Sequence, residues 1–190
     1  MADADVTIVR TTGAPLAAPV QRQIEAIFFE ASGRTFAPGA EREAFRERWL
    51  GRYLDSRTDE VFLALAAGGT VAGYLVGDVR DPAEQPRFND IGYFRADFAH
   101  LCRRYPAHLH INLAPAFRNR GIGVRLIEAF AERARAAGAP GMHVVTGEAM
   151  RNVRFYQRCG FADKGGAIWN GRRVVFLGRA LTACIPGPRD

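Results

Sequence analysis

The residues best able to bind a charged ligand lie in the motif Arg118-Asn-Arg-Gly-Ile-Gly123, directly before the strongest helical pattern of the sequence. Its two glycines allow the backbone to approach a ligand closely or to take a positive φ. A loop that opens a helix also presents N–H groups that have no acceptor within the helix, together with the positive end of the helix dipole. With Arg125 and the two arginines of the motif nearby, the segment predicts a site for an anion such as pyrophosphate.

Two better-known phosphate motifs are excluded for this segment. A dinucleotide fingerprint would require a third glycine at the position of Leu126. A P-loop would require Gly-Lys followed by Ser or Thr, and these residues do not follow. A tight turn from a strand into a helix would produce the same glycine pattern, so the motif alone does not decide between a turn and an anion site.

Two histidines and an asparagine share one face of a predicted strand, because His108, His110 and Asn112 alternate with the residues between them. A pair of histidines could suggest a metal site, but no third ligand stands at a diagnostic spacing, so we predict no metal. Cys159 stands beside Gly160 at the end of a predicted helix, and we interpret it as a small buried residue rather than a nucleophile.

Alternating strands and helices position these residues. β-Branched or alternating runs predict strands over residues 6–10, 61–66, 70–76, 108–113, 142–145, 167–169 and 173–181. Apolar residues at helical spacing predict helices over residues 20–31, 41–54, 121–137 and 149–159, and a short one within 91–105. Gly68-Gly69 and Asn170-Gly171 predict hairpin turns. This order indicates one domain of the α/β or α+β class with a mostly antiparallel sheet.

The segment between residues 78 and 107 is irregular and is punctuated by three prolines. A stretch of this length between strands is usually functional when it is ordered. The aromatic residues between Ile91 and Phe98, and those of the two helices predicted over residues 20–31 and 41–54, either line the acceptor site or simply pack. The place of the irregular segment just before the strand at 108–113 favours contact with the acceptor.

The composition indicates a soluble, cytoplasmic protein. No apolar stretch approaches the ~18–20 residues that cross a membrane, and the acidic start lacks the basic region of a secretory signal. Cys102, Cys159 and Cys184 form no CxxC pair or zinc spacing, as expected for free thiols in a reducing compartment. The formal net charge of +6 either reflects a GC-rich genome or attracts an anionic ligand. Because no nucleic-acid-binding motif accompanies the charge, we predict no nucleic-acid partner.

Arg118-x-x-Gly121-x-Gly123 resembles the Arg/Gln-x-x-Gly-x-Gly/Ala acetyl-CoA motif of the GNAT superfamily of N-acetyltransferases. Leu113-Ala-Pro115 resembles the strand end that runs beside pantetheine in that family, and Asn152–Phe161 resembles its Phe-Tyr-x-x-x-Gly-Phe element. The two motifs stand roughly thirty residues apart, in the order that the family requires. Tyr105–Asn112 is in addition similar to bacterial GNAT proteins related to the acetyltransferase-like domain of O-GlcNAcase.

The resemblance implies the GNAT fold, with a central mixed, mostly antiparallel sheet of about seven strands flanked by helices. It implies a single N-acetyltransferase domain over residues 1–184, followed by a flexible tail at 185–190. The implied reaction transfers the acetyl group of acetyl-CoA, the co-substrate, to a primary amine of a small molecule or a protein by direct attack. A non-catalytic acyl-CoA-binding module is the alternative, and base rates for small enzymes allow a homodimer.

The resemblance also implies roles for particular residues. A backbone N–H near Leu113 or Ala114 would polarise the thioester carbonyl, and Tyr156 would protonate the leaving thiolate. The family often carries Asn seven residues before the tyrosine and a small residue four before it, where this chain has Ala149 and Asn152. Asn152 shares a helix face with the tyrosine and could take the pantetheine contact instead. The implied cofactor contacts are Leu113, Ala114, Arg118, Asn119, Arg120, Gly121, Ile122, Gly123, Val124, Asn152 and Tyr156.

The reaction also needs a group that takes a proton from the incoming ammonium. His110 is our candidate general base, because histidine titrates near neutrality and can accept a proton. A structural role for this histidine is equally compatible with the sequence. Asp90 and Asp97 in the irregular segment are alternatives, and some family members use ordered water alone.

Overall fold

The structure is a computed structural model that describes residues 6–11, 15–54 and 60–181. The expectations for the acidic start, for Cys184 and for the tail at 185–190 lie outside the described residues. The chain divides into two compact units. The first unit is formed by residues 1–77 and 110–130, and the second by residues 78–109 and 131–190. The single domain over residues 1–184 stays a prediction.

The elements follow one another in the predicted order. The strands are β1 (Thr7–Arg10), β2 (Val61–Ala66), β3 (Thr70–Asp78), β4 (Ala107–Leu113), β5 (Gly141–Gly147), β6 (Ala162–Trp169) and β7 (Arg172–Ala180). The helices are α1 (Ala18–Ser32), α2 (Ala40–Arg46), α3 (Arg52–Leu54), α4 (Tyr93–Ala96), α5 (Ala99–Arg104), α6 (Ile122–Ala136) and α7 (Asn152–Arg158). Strand β4 and helix α6 each pass from one unit into the other.

The seven strands are hydrogen-bonded in the order β1-β2-β3-β4-β5-β7-β6. Strand β2 pairs antiparallel with β1 and β3, and β7 pairs antiparallel with β5 and β6. Strand β4 pairs parallel with β5 at Ala107↔Met142 and His108↔His143. The prediction of a mixed, mostly antiparallel sheet of seven strands is confirmed.

The turn between β6 and β7 shows why its two residues predict a hairpin. Asn170 has a φ of 49° and Gly171 a φ of 71°, so both lie in the left-handed region. A two-residue turn with two positive φ angles matches the right-handed twist of antiparallel strands. Asn and Gly are the residues that adopt this backbone at the lowest cost.

Helices α1 and α6 lie within two residues of their predicted bounds, whereas three other predicted helices differ more. The helix predicted over residues 41–54 is interrupted by a π-helical segment at Glu47–Gly51, where the side chain of Glu47 lies over the space that a Cβ of Gly51 would need. The helix predicted from residue 149 begins at Asn152, because the N–H of Met150 bonds to Gly147 in a preceding turn. The helix predicted within residues 91–105 is two short helices, α4 and α5.

The irregular segment before β4 belongs to the hydrophobic core of the second unit. Its aromatic residues Phe88, Tyr93, Phe94 and Phe98 are all buried. The ring of Phe98 lies 5.3 Å from that of Phe176 on β7. The segment is therefore ordered by packing. Within the described residues, none of the helices is both long enough and apolar enough to cross a bilayer.

Candidate functional site

The loop ahead of α6 lies in the first unit and has the backbone that an anion site requires. Asn119 has a φ of 61° and Gly121 a φ of 72°, both left-handed. A Cβ added at Gly121 would meet no heavy atom of the described residues within 4 Å. The N–H of Arg125 bonds to the carbonyl of Gly121, so the N–H groups of the helical residues before Arg125 have no acceptor inside α6. The open space, these N–H groups and the helix dipole fit a phosphate group.

The predicted loop residues Arg118–Val124 lie together here, and their side chains differ in exposure. Arg120 and Arg125 are exposed, whereas Arg118 is half-buried. Ile122 and Gly123 are buried, and Val124 is one of the few large apolar residues that remain exposed. The loop therefore offers positive charge and one apolar side chain to a ligand.

The end of β4 is fixed by hydrogen bonds on both sides of one peptide group. The Nε of Arg118 donates to the carbonyl of Leu113 at 3.0 Å. The N–H of Ala114 donates to the carbonyl of Ala72 on β3, also at 3.0 Å. Of the two backbone N–H groups to which the family resemblance assigns the polarising of a carbonyl, the one at Ala114 thus bonds to β3.

Strand β3 approaches this strand end closely because Gly73 has no side chain. A Cβ at Gly73 would lie 2.8 Å from the carbonyl oxygen of Asn112 and would overlap the side chain of Leu113. The close approach positions Ala72 to accept the bond from Ala114.

His110 lies among aromatic rings. Its ring centre is 5.5 Å from that of Trp49 in the π-helical segment and 5.4 Å from that of Tyr53 in α3, both in edge-on geometry. Burial, and secondly the positive charge of Arg52, lower the pKa of His110 from 6.5 to about 4. The imidazole is therefore neutral at pH 7, which is the form that accepts a proton, but it is a weak base.

Asn112 continues the same strand face toward a buried tyrosine. Its Nδ2 donates to the hydroxyl of Tyr74 at 2.8 Å. Burial raises the pKa of Tyr74 and outweighs the opposite effect of this hydrogen bond. The sequence presents Trp49 and Tyr53 as aromatics of the second predicted helix, which either line the acceptor site or pack, and Tyr74 only as a strand residue. The sequence held no signal that they meet these polar side chains.

His108 lies in the second unit and is buried. Its ring stacks on that of His143 at 5.7 Å, its neighbour across β4 and β5. Asp78 is buried in the same unit and accepts hydrogen bonds from Arg80 and Arg87. Burial raises the pKa of Asp78, but the bonds from Arg80 and the charges of His108 and Arg87 outweigh it and hold the pKa below its ordinary value. In the part of the chain that the structure describes, no three His, Cys, Asp or Glu residues are grouped to hold a metal.

Tyr156 lies on α7 in the second unit and is buried. Its ring centre is 5.3 Å from that of Phe155 and 5.6 Å from that of Phe161. Burial, and secondly the thiol of Cys159, raise the pKa of the Tyr156 hydroxyl above its ordinary value of 10. The hydroxyl therefore keeps its proton at neutral pH, as a proton donor must.

Asn152 begins α7, one helical turn before Tyr156. Its Oδ1 accepts a hydrogen bond from the Oγ1 of Thr146 on β5 at 3.1 Å. The two alternative bases, Asp90 and Asp97, are exposed residues of the irregular segment.

Three solved structures illustrate the proteins that share this fold. SsHAT is 21% identical, with a TM-score of 0.69 over 93% of this chain and 98% of its own. A GNAT superfamily phosphinothricin acetyltransferase (Pat) from Sinorhizobium meliloti, in complex with AcCoA, is 23% identical, with a TM-score of 0.58 over 97% and 94%. The putative acetyltransferase yncA from Salmonella typhimurium, with its cofactor acetyl-CoA, is 17% identical, with a TM-score of 0.60 over 98% and 99%. At these identities the likeness shows the fold.

A family model matches the sequence itself. The model of the acetyltransferase (GNAT) family covers residues 23–161, well over half of the chain. The matched range includes the loop before α6, the end of β4 and α7. This protein belongs to the acetyltransferase (GNAT) family.

Proposed function

We propose that this protein transfers the acetyl group of acetyl-CoA to a primary amine of a small molecule or a protein. The observation that carries the proposal is the loop Arg118–Gly123, whose left-handed Gly121 opens α6 beside unfilled space in a chain of this family. Acetyl-CoA as co-substrate agrees with the two solved relatives that are described with it bound. The buried free thiol of Cys102 agrees with a cytoplasmic setting.

Acetyl-CoA supplies an activated thioester and a pyrophosphate. The N–H groups of residues 119–124 and the guanidinium groups of Arg118 and Arg120 hold the pyrophosphate. The N–H of Leu113 polarises the thioester carbonyl, since the neighbouring N–H of Ala114 already bonds to Ala72. Asn152, whose Oδ1 is held by Thr146, contacts the pantetheine arm.

Two side chains carry out the proton transfers of the reaction, one as a donor and one as an acceptor. Tyr156 keeps its proton at neutral pH and donates it to the leaving thiolate. His110 is neutral at that pH and accepts a proton from the incoming ammonium. Because its pKa of about 4 lies below neutral pH, the imidazole passes this proton on to solvent rather than keeping it.

A thermal-shift titration with acetyl-CoA, CoA, a longer acyl-CoA and NAD tests the proposal first. A ligand at a hundred times its Kd adds about 2.7 kcal/mol to the stability of the folded state. We expect acetyl-CoA and CoA to raise the melting temperature and NAD to leave it unchanged. A melting temperature that no CoA species raises would remove the proposal. Stabilisation without acetyl transfer to any amine in a broad panel would instead favour an acyl-CoA-binding module.

A further inference from the structure

Arg118 differs from the other arginines of its segment in what its side chain contacts. Arg120 and Arg125 are exposed, whereas Arg118 is half-buried and its Nε donates to the carbonyl of Leu113. This bond uses only Nε and leaves the two amino groups of the guanidinium available to an anion. The contact therefore indicates a second role for the side chain.

The hydrogen bond from Arg118 is the second of two bonds that hold the peptide group between Leu113 and Ala114. The carbonyl of Leu113 and the N–H of Ala114 belong to the same planar unit. Arg118 holds the carbonyl, and Ala72 holds the N–H from the side of β3. A planar group that is bonded on both sides cannot rotate about the chain direction unless one bond breaks.

The orientation of this group determines where the N–H of Leu113 points. In an extended strand, the N–H and C=O of one residue point to one edge, and those of the next residue point to the other edge. Because the N–H of Ala114 points to β3, both polar groups of Leu113 point to the edge away from β3. The donor assigned to the thioester thus stands at the same edge as the carbonyl that Arg118 holds.

We infer that Arg118 is a positioning residue, whose Nε holds the Leu113 carbonyl and thereby aims the Leu113 N–H at the thioester carbonyl. This inference rests on the proposed function. A guanidinium has five donors in a fixed fork, so the bond from Nε is compatible with bonds from the two amino groups to phosphate oxygens. One side chain then links the pyrophosphate site to the acyl site.

Two substitutions separate the hydrogen bond of Arg118 from its charge. In Arg118→Gln, the amide nitrogen takes the position of Nε along the side chain, so the bond to Leu113 can form while the charge is lost. In Arg118→Lys, the charge is kept while a methylene takes that position. Arg120→Gln removes a charge from an exposed side chain of the same loop and is the matched control.

Amide hydrogen exchange of the free protein gives the first readout, with melting temperatures to confirm that each variant folds. We expect Arg118→Lys to speed exchange at Ala114 by about tenfold, the effect of one charge-assisted hydrogen bond. Arg118→Gln forms a neutral hydrogen bond of about half the strength, so it should speed exchange by only about threefold, and Arg120→Gln should stay within about twofold of the wild type. Wild-type exchange at Ala114 in Arg118→Lys would overturn the inference.

Kinetics with two acyl donors give the second readout, because S-acetylpantetheine lacks the pyrophosphate of acetyl-CoA. Arg118→Lys should lower kcat by about tenfold with both donors, and Arg118→Gln should restore most of it. Arg120→Gln should act mainly through the KM for acetyl-CoA. If Arg118→Lys loses activity with acetyl-CoA alone, the residue only binds phosphate and the inference is wrong. A wild type that transfers no acetyl group would overturn the proposed function and, with it, the catalytic half of the inference.

Discussion

The buried hydroxyl of Tyr156 leads to a prediction about chemistry rather than binding. Tyr156→Phe removes the hydroxyl and keeps the ring that packs with Phe155 and Phe161. A general acid contributes about 100-fold or more to a rate, so we expect kcat for acetyl transfer to fall by at least about 100-fold. Steady-state kinetics with a reactive amine measure this change.

The thermal shift produced by CoA is the control for this variant. It should match that of the wild type, since the phenylalanine retains the packing of α7. Wild-type turnover in Tyr156→Phe would show that the thiolate leaves without help from this residue.

His110 leads to a prediction about the pH dependence of stability. Its pKa is about 4 in the folded protein and near 6.5 when the chain is unfolded. Between these values the unfolded chain binds a proton that the folded one does not, so the free energy of unfolding falls as the pH drops from 6.5 toward 4. We expect His110→Gln to lose part of this acid sensitivity in denaturant titrations between pH 4 and pH 7. Equal slopes in both proteins would contradict the lowered pKa.

At the scale of elements, the sequence predicts the strands and the long helices because their patterns are local. Strand β2 has the predicted bounds, and α6 differs from its prediction by one residue at each end. The π-helical segment at Glu47–Gly51 was not predicted, because the side-chain contact that accompanies it is invisible in an apolar pattern. The burial of the irregular segment depends on residues of β7 far along the chain. The sequence therefore favours contact between the aromatics of this segment and the acceptor, whereas in the structure these aromatics pack in the core.

The candidate site likewise has features that a local sequence pattern predicts and features that depend on contacts between distant residues. The loop Arg118–Gly123 could be predicted, because its glycines and arginines are adjacent in the chain. The bond from Ala114 to Ala72 could not, because it depends on how β3 lies beside β4. The lowered pKa of His110 could not be predicted either, since it arises from burial in the folded unit.

The loop before α6 gives a prediction with two graded substitutions. Gly121→Ala places a side chain on a residue with a φ of 72° but against open space. We expect it to lower stability by about 1–2 kcal/mol, the cost of the left-handed backbone, and to weaken CoA binding moderately. Gly121→Glu adds a carboxylate where phosphate would lie, so CoA binding should fall by more than about tenfold. Calorimetric titration with CoA measures both affinities.

The matched control for Gly121 is Gly171→Ala. Gly171 has a similar positive φ of 71° and lies in the hairpin between β6 and β7. It should show a comparable loss of stability with normal CoA affinity. Equal CoA affinities in Gly121→Glu and Gly171→Ala would remove the loop from the cofactor site.

At the scale of the whole molecule, the match over residues 23–161 establishes the acetyltransferase (GNAT) family, and the relation to O-GlcNAcase-like proteins stays a prediction. In the first unit, the side chains around His110 include Trp49 and Tyr53. They are the first residues to vary when the amine panel has identified an acceptor.

The division of the chain into two compact units determines whether either unit can be isolated as a fragment. The chain passes between the two units three times, after residues 77, 109 and 130. A fragment that ends at residue 130 keeps all of the first unit but leaves Phe94 and Phe98 separated from His143 and Phe176. We expect this fragment to expose those rings and to aggregate, and a single cooperative melt of the soluble fragment would contradict this. It follows that neither unit can be released by one proteolytic cut, and that one recombination event cannot exchange either unit between two genes.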